Sequence, residues 1–170
     1  MSVRPLLEPL LSPPASWYLA AVAAVMLLLI ASRRLGALFL VSSFPVTIAH
    51  ELTHLLTGLV TNGRPSQLRL LPRRSANGYV LGSVTCSNVR WYNGLVIGLA
   101  PLLLLPVATA LLLWRTRNGA GLTLTELPWL YLIACLAYAS LPSWQDLRVA
   151  AASSWLLFVL AGALLYVAAG

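Results

Sequence analysis

The sequence predicts an all-α integral membrane protein with about five transmembrane helices and a small cytoplasmic loop that forms a β-hairpin. Of the 170 residues, 59% are hydrophobic and only 9% are charged, whereas about a quarter of the residues in a soluble domain are charged. The apolar residues are also collected into long segments. The net charge of +7 comes from arginines, which we interpret as loop residues that meet anionic lipid headgroups rather than nucleic acid.

Five apolar segments are predicted to cross the bilayer, which takes about 20 residues per helix; the first and fourth are short, and the first can borrow flanking residues. The first ends in Arg33-Arg34 without a small-residue cleavage site, so we expect a retained span rather than a signal peptide. All five belong to one predicted membrane domain that covers residues 1–170. The predicted spans are about 17–32, 35–60, 94–114, 128–141 and 147–169.

The segment 61–93 is the one long polar loop between the predicted spans. Its Asn77-Gly78 pair predicts a two-residue turn between antiparallel strands. An unstructured basic loop is the alternative. With five spans, this loop and the N-terminus share the side that carries more arginines, which places both in the cytoplasm.

The motif H-E-L-T-H at residues 50–54 contains both histidines of the chain. On a helix, His50 and His54 project from one face, and two imidazoles so placed can bind one Zn²⁺. Glu51 is offset by about 100°, so it can act on a water molecule without being a ligand. The alternative is a buried polar cluster that joins helices through hydrogen bonds. A polar stripe at helical spacing continues the motif along the segment: Ser43, Thr47, His50, Glu51, His54 and Thr57.

A catalytic zinc needs a third protein ligand, and the chain has no third histidine. The carboxylates outside the motif are Glu8, Glu126 and Asp146. Asp146 follows the fourth predicted span, on the same side as the C-terminal end of the second, and is the best candidate. It also fits a capping box with Ser143 as the N-cap. We expect one carboxylate to serve only one of these roles fully, and we favour the ligand.

These features resemble the site-2-protease family of intramembrane zinc metalloproteases, most of all its compact bacterial branch. The resemblance covers about residues 35–148 and rests on H-E-L-T-H, the basic hairpin loop, "GLAP" at 98–101 and "PSWQD" at 142–146. The chain departs from the family at Thr53, where glycine often precedes the second histidine, and at Leu147, which follows the aspartate.

The resemblance implies a three-helix catalytic core with one Zn²⁺ per chain, held by His50, His54 and Asp146 in the cell (inner) membrane near its cytoplasmic face. The predicted activity is hydrolysis of peptide bonds in transmembrane protein substrates. Zinc would lower the pKa of its bound water toward about 7, and Glu51 would serve as the general base.

Other residues of the polar loop are candidates for substrate binding or support, namely Asn93, Asn77 and Gly78. The hairpin could hold an unwound substrate segment along its edge strand. One alternative function is a catalytically inactive metal-binding membrane scaffold. Another is a small transporter that uses the polar stripe as an ion path, which the absence of an internal repeat disfavours. The sequence gives no indication of the oligomeric state.

Overall fold

The computed structural model describes residues 13–75, 78–119 and 123–169, which are mostly helical. The α-helices are α1 Pro13–Ala31, α2 Ala37–Ser42, α3 Phe44–Val60, α4 Gly94–Gly98, α5 Leu104–Arg117, α6 Leu127–Ala139 and α7 Trp144–Ala169. Short 3₁₀ turns occupy Ser32–Leu35, Ala100–Leu103 and Leu124–Glu126. The strands are β1 Pro65–Arg69, β2 Arg73–Ser75, β3 Gly78–Val80 and β4 Ser83–Cys86.

Two helical stretches of the described chain are long and apolar enough to cross a membrane, Ala15–Leu35 and Ala100–Arg117. A third candidate is the pair Leu124–Ala139 and Trp144–Trp155, which are bent by 41° at the break between them. The predicted class of a helical chain able to enter a membrane is therefore confirmed in outline. The number of candidate spans among the described residues is two to three rather than the predicted five.

The predicted spans are interrupted where residues cannot continue an α-helix. Gly36 has a φ of +54° before α2, and Pro45 in the first turn of α3 lacks the N–H that a continuous helix would use there. As a result α3 has 17 residues, fewer than the about 20 that a span requires. Pro101 lies in the 3₁₀ turn between α4 and α5 and divides the third predicted segment in the same way.

The polar loop contains two small antiparallel ladders, β1 with β4 and β2 with β3. The β2–β3 pairing agrees with the predicted hairpin strands, although its register differs from the expected turn. Gly78 pairs with Ser75, so it is the first residue of a strand and not the second residue of the turn. Asn77 lies outside the described residues. The β1–β4 ladder was not predicted, because its strands lie 13 residues apart (Arg69 to Ser83) and only long-range pairing joins them.

The chain divides into two compact units. The first contains Met1–Ala49 and Leu104–Ser140, and the second contains His50–Leu103 and Leu141–Gly170. In the first unit α1, α5 and α6 pack on one another. In the second unit α4 packs against α7. The prediction of one membrane domain stays a prediction. The buried apolar core of the first unit includes Tyr18, Val22, Leu29, Ala108, Leu112, Leu130, Ile133 and Ala134.

A buried ion pair joins two helix ends of the first unit. Glu126 accepts hydrogen bonds from the Nε of Arg115 at 3.2 Å and from the hydroxyl of Tyr18 at 3.0 Å. The Arg115 guanidinium also lies 5.3 Å from the ring centroids of both Trp114 and Trp129. Because its carboxylate is paired in this way, Glu126 has a structural role within this unit.

Candidate metal centre

The motif residues lie on α3 as the sequence predicts. The Nε2 atoms of His50 and His54 are 3.3 Å apart, which shows that successive turns aim both imidazoles at the same point. The polar side of the helix is buried and the opposite side is exposed: Glu51 and His54 are 8% and 7% exposed, whereas Leu56 is 58% exposed. The helix therefore separates an apolar outer face from a polar inner face.

Asp146 in the first turn of α7 completes a group of three metal-ligand side chains. Its Oδ2 lies 3.2 Å from the Nε2 of His50, and its Oδ1 lies 3.1 Å from the Nε2 of His54. Each carboxylate oxygen thus faces one imidazole. Within residues 13–75, 78–119 and 123–169, no other set of three histidine, cysteine or acidic side chains is as close.

The three side chains are close enough to share one cation. The two Nε2 atoms are 3.3 Å apart, and each lies 3.1 to 3.2 Å from a different oxygen of Asp146. With one ligand atom taken from each residue, all three lie within 4.8 Å of one another. Two imidazoles and one carboxylate also match the donor set of catalytic zinc sites, which leave one position open.

A backbone carbonyl orients His54. The Nδ1 of His54 is 2.8 Å from the oxygen of Ile97. Since a carbonyl can only accept a hydrogen bond, Nδ1 carries the proton, and a neutral His54 presents its lone pair at Nε2. That lone pair faces the Nε2 of His50 and the Asp146 carboxylate. Such converging acceptors are stable only with a proton or a cation among them.

Pro101 explains why the Ile97 carbonyl is available. In a continuous α-helix the carbonyl of Ile97 would accept the N–H of residue 101, four positions later. Proline has no N–H, and α4 ends at Gly98. The carbonyl therefore lacks its usual helical donor. The N–H of Leu99 at the helix end points to it, and the Nδ1–H of His54 donates to it as well.

Asp146 serves as a helix cap and approaches the histidines at the same time. Its Oδ2 accepts the backbone N–H of Ser143 at 2.6 Å, while the Ser143 hydroxyl accepts the N–H of Asp146 at 3.2 Å. The capping box predicted from the sequence is therefore present. The same carboxylate makes the capping contact and approaches both histidines, whereas its role as a metal ligand stays a prediction. Oδ1 faces His54 while Oδ2 receives the capping hydrogen bond beside His50.

Two glycines let α7 approach α4 closely enough to place Asp146 beside the two histidines. Gly94 and Gly98 are one turn apart on α4, the small-residue spacing that permits close helix contact. A Cβ at Gly98 would lie 2.6 Å from the carbonyl oxygen of Asp146 and 2.8 Å from the nitrogen of Ala150. A Cβ at Gly94 would overlap the side chain of Ser153.

Glu51 lies beside the group without belonging to it. It follows His50 on the buried side of α3, and the backbone amide of Val84 in β4 lies near its carboxylate. This places β4 next to the only acidic residue of the motif. The arrangement matches the role predicted for Glu51, a proton acceptor close to the ligands.

Asn93 holds the polar loop together. Its Oδ1 accepts the N–H of Arg90 at 2.7 Å, and its Nδ2 donates to the carbonyls of Thr61 and Asn88 at 3.1 and 3.0 Å. The side chain is fully buried. Its amide is thus engaged with the backbone at the start of α4, which makes it a support for the loop. Gly78 is the first residue of β3, and its role in substrate binding stays a prediction.

Cys86 at the end of β4 adds no thiolate to the site. Burial raises the pKa of its thiol above the ordinary value, so the thiol form is favoured at neutral pH. Its Sγ would lie 3.0 Å from a Cβ added at Gly58, a position on α3 outside the ligand group.

Comparison with models of protein families, with curated proteins and with solved structures found no match. The resemblance to site-2 proteases therefore stays a prediction, and the site is interpreted from its own chemistry.

Proposed function

We propose that this protein is an intramembrane zinc metalloprotease that hydrolyses peptide bonds of transmembrane protein substrates, with one Zn²⁺ per chain. The proposal is carried by one observation, the convergence of His50, His54 and Asp146 on one point beside the buried Glu51. A buried carboxylate adjacent to a ligand group is what water activation requires.

The chain's own residues have distinct roles in this proposal. His50, His54 and Asp146 hold the metal, and the Ile97 carbonyl fixes the ring of His54 so that its Nε2 is the ligand atom. Bound zinc supplies Lewis acidity, which polarises a carbonyl and eases deprotonation of water. Glu51 takes the proton from the attacking water and then passes it to the nitrogen of the leaving amine.

The β1–β4 ladder supports a substrate-binding role for the polar loop. A transmembrane helix must unwind before its backbone can be cut, because its peptide groups are already hydrogen-bonded. Among the described residues β1 and β4 pair only with each other, so each strand has one edge without a strand partner. Val84 of β4 lies beside Glu51. An extended segment could therefore add to β4 next to the catalytic carboxylate. We infer that β4 is better placed for this role than the predicted Asn77-Gly78 hairpin.

The proposed location is the cell (inner) membrane, with the N-terminus and the 61–93 loop in the cytoplasm. Its support is the number of arginines in that loop. Five membrane-embedded segments remain part of the proposal, with α2 and α3 together forming the second and α4 and α5 together forming the third.

Metal analysis and peptide cleavage together test the proposal. We would purify the full chain in mild detergent and measure zinc by mass spectrometry in the wild type, His54→Ala and Asp146→Ala. The same preparations would be incubated with single-span transmembrane peptides whose centres contain helix-destabilising residues, and the products identified by mass. We expect near-stoichiometric zinc and cleavage in the wild type, and loss of both in each variant.

Two results would point to other functions. Zinc binding without any cleavage, with partner binding unchanged in Glu51→Gln, would indicate the inactive metal-binding scaffold. Metal-independent ion flux through reconstituted vesicles would indicate the transporter. Zinc retained in full by Asp146→Ala would remove Asp146 from the ligand set.

A further inference from the structure

A cavity is lined by residues from both strand pairs of the polar loop. Its volume is about 240 Å³, below the roughly 300 to 1,000 Å³ of sites that enclose a whole small molecule. A cavity of this size suits part of a ligand, such as one charged group. The residues that line this arginine cavity are Arg69, Leu71, Arg73, Arg74, Val80, Gly82 and Ser83.

The arginine cavity is strongly basic. Arg69, Arg73 and Arg74 all line it, and the sequence contains no Asp or Glu between Glu51 and Glu126. The ion pairs of the described residues involve only Asp146 and Glu126 as acids. None of the three guanidiniums therefore has a carboxylate partner in the described chain, and three adjacent cations favour an anionic ligand.

Apolar side chains border the same cationic centre. Leu71 and Val80 line the cavity and are 74% and 48% exposed. Farther along the loop, Trp91 and Tyr92 form an edge-to-face pair and are about half exposed. Arginines next to exposed aliphatic side chains, with exposed aromatic residues elsewhere in the same loop, are typical of protein surfaces at the headgroup level of a membrane.

We propose that the arginine cavity binds the phosphate of an anionic phospholipid headgroup. The guanidiniums contact the phosphate, and Leu71 and Val80 contact the adjoining glycerol and acyl region. This apolar border favours a lipid over free phosphate, which offers no apolar surface, and over an acidic peptide. The site is independent of the metal ligands, so it holds the polar loop at the membrane surface whether or not the protein is a protease.

The test uses the full chain in neutral detergent micelles with added lipid. Bound lipid would be counted by native mass spectrometry during titration with phosphatidylglycerol, with phosphatidylcholine, and with inorganic phosphate. We expect the wild type to retain one phosphatidylglycerol in preference to phosphatidylcholine. In the combined variant Arg69→Gln, Arg73→Gln and Arg74→Gln, affinity for phosphatidylglycerol should fall about tenfold or more.

A variant of equal net charge separates a built site from diffuse attraction. Arg34→Gln, Arg64→Gln and Arg117→Gln together remove three charges outside the cavity and should keep the bound lipid. Equal losses in both triple variants would overturn the proposal. Equal retention of the two lipids by the wild type would also overturn it, and this arm does not depend on any variant folding. Displacement of the lipid by millimolar phosphate would identify a free-anion site, and binding of hexaglutamate in place of lipid would identify a peptide site.

Discussion

The Nδ1 of His54 donates a hydrogen bond to the carbonyl oxygen of Ile97 at 2.8 Å. The next residue, Gly98, contacts the backbone of Asp146 and Ala150 on α7. Two successive residues of α4 thus act on two different members of the group. Ile97 accepts a hydrogen bond from His54 through its carbonyl. Gly98 has no side chain, which lets the backbone of Asp146 come close. A five-residue helix that contributes no ligand therefore governs the geometry of the site.

Replacing Asp146 by asparagine separates its two roles. Asparagine can still accept the N–H of Ser143 but lacks the negative charge that favours a divalent cation. We expect Asp146→Asn to lose zinc while α7 keeps its helicity by circular dichroism. Ser143→Ala is the complementary control and should keep zinc while costing about 0.5 to 2 kcal/mol of stability. Full zinc occupancy in Asp146→Asn would contradict the proposed ligand.

Glu51→Gln should remove catalysis and leave the metal. The substitution keeps the shape of the side chain but removes its basicity, and general acid–base catalysis contributes about 10² to 10⁴ in rate. We expect cleavage of a transmembrane peptide to slow by that factor at unchanged zinc content. His54→Ala is the comparison, since it should lose both. Unchanged cleavage in Glu51→Gln would assign proton transfer to another group.

Gly98→Ala should disturb the geometry of the site, although Gly98 is not one of its three converging residues. The added methyl would lie 2.6 Å from the carbonyl oxygen of Asp146, so α7 must move away from α4. We expect weaker zinc binding in competition with a chelator and a lower thermal midpoint. Gly162→Ala is the matched control, because nothing lies within 4 Å of a Cβ there and alanine is favoured over glycine inside a helix by about 0.5 to 1 kcal/mol. Equal zinc affinity in both variants would refute the packing argument.

Pro101→Ala should weaken zinc binding through His54. Alanine restores an N–H four residues after Ile97, which can then compete for the carbonyl that orients the imidazole. Loss of a hydrogen bond of this kind lowers metal affinity by about 10- to 100-fold. Pro106→Ala, in the first turn of α5, is the control. If both variants bind zinc as the wild type does, the carbonyl of Ile97 does not limit affinity.

The Glu126–Arg115 pair offers a stability test in the other unit. Glu126→Leu leaves the Arg115 guanidinium without its carboxylate, and Arg115→Met leaves Glu126 with only the Tyr18 hydroxyl among the partners seen here. An unpaired buried charge is costly, whereas removal of both charges is often tolerated. We expect each single variant to lower the thermal midpoint more than the double variant does. Additive effects in this double-mutant cycle would show that the two groups are not coupled.

The sequence was sufficient to single out the three side chains that converge, because their signal is local or compositional. His50 and His54 are four residues apart on one helix, and few carboxylates remain as the third ligand. The orienting contact of His54 was not foreseen, because any backbone carbonyl could have supplied it. The "GLAP" segment was noticed only as part of a resemblance. Its physical effect, a proline that withholds the usual helical donor from the Ile97 carbonyl, required the fold.

The described residues contain fewer candidate spans than the five predicted, for a related reason. Hydropathy summed along residues 35–60 does not register Gly36 or Pro45, each of which alters the backbone at one position. The pairing of β1 with β4 could not be predicted from the local sequence either, because these two strands lie on either side of the β2–β3 hairpin. Single residues with special backbone geometry, and contacts distant in sequence, thus account for what the sequence did not predict.

In the capping box between Ser143 and Asp146, one carboxylate takes part in two equilibria. These are the formation of the first turn of α7 and the binding of a cation. Formation of the first turn of α7 places Asp146 toward the histidines, and a cation bound there would hold that turn in place. By thermodynamic reciprocity, the factor by which formation of this turn raises cation affinity equals the factor by which the bound cation favours the turn, so loss of the cation should loosen the start of the helix. Amide hydrogen exchange at Leu147 and Arg148 should therefore report metal occupancy, as a local opening far short of global unfolding.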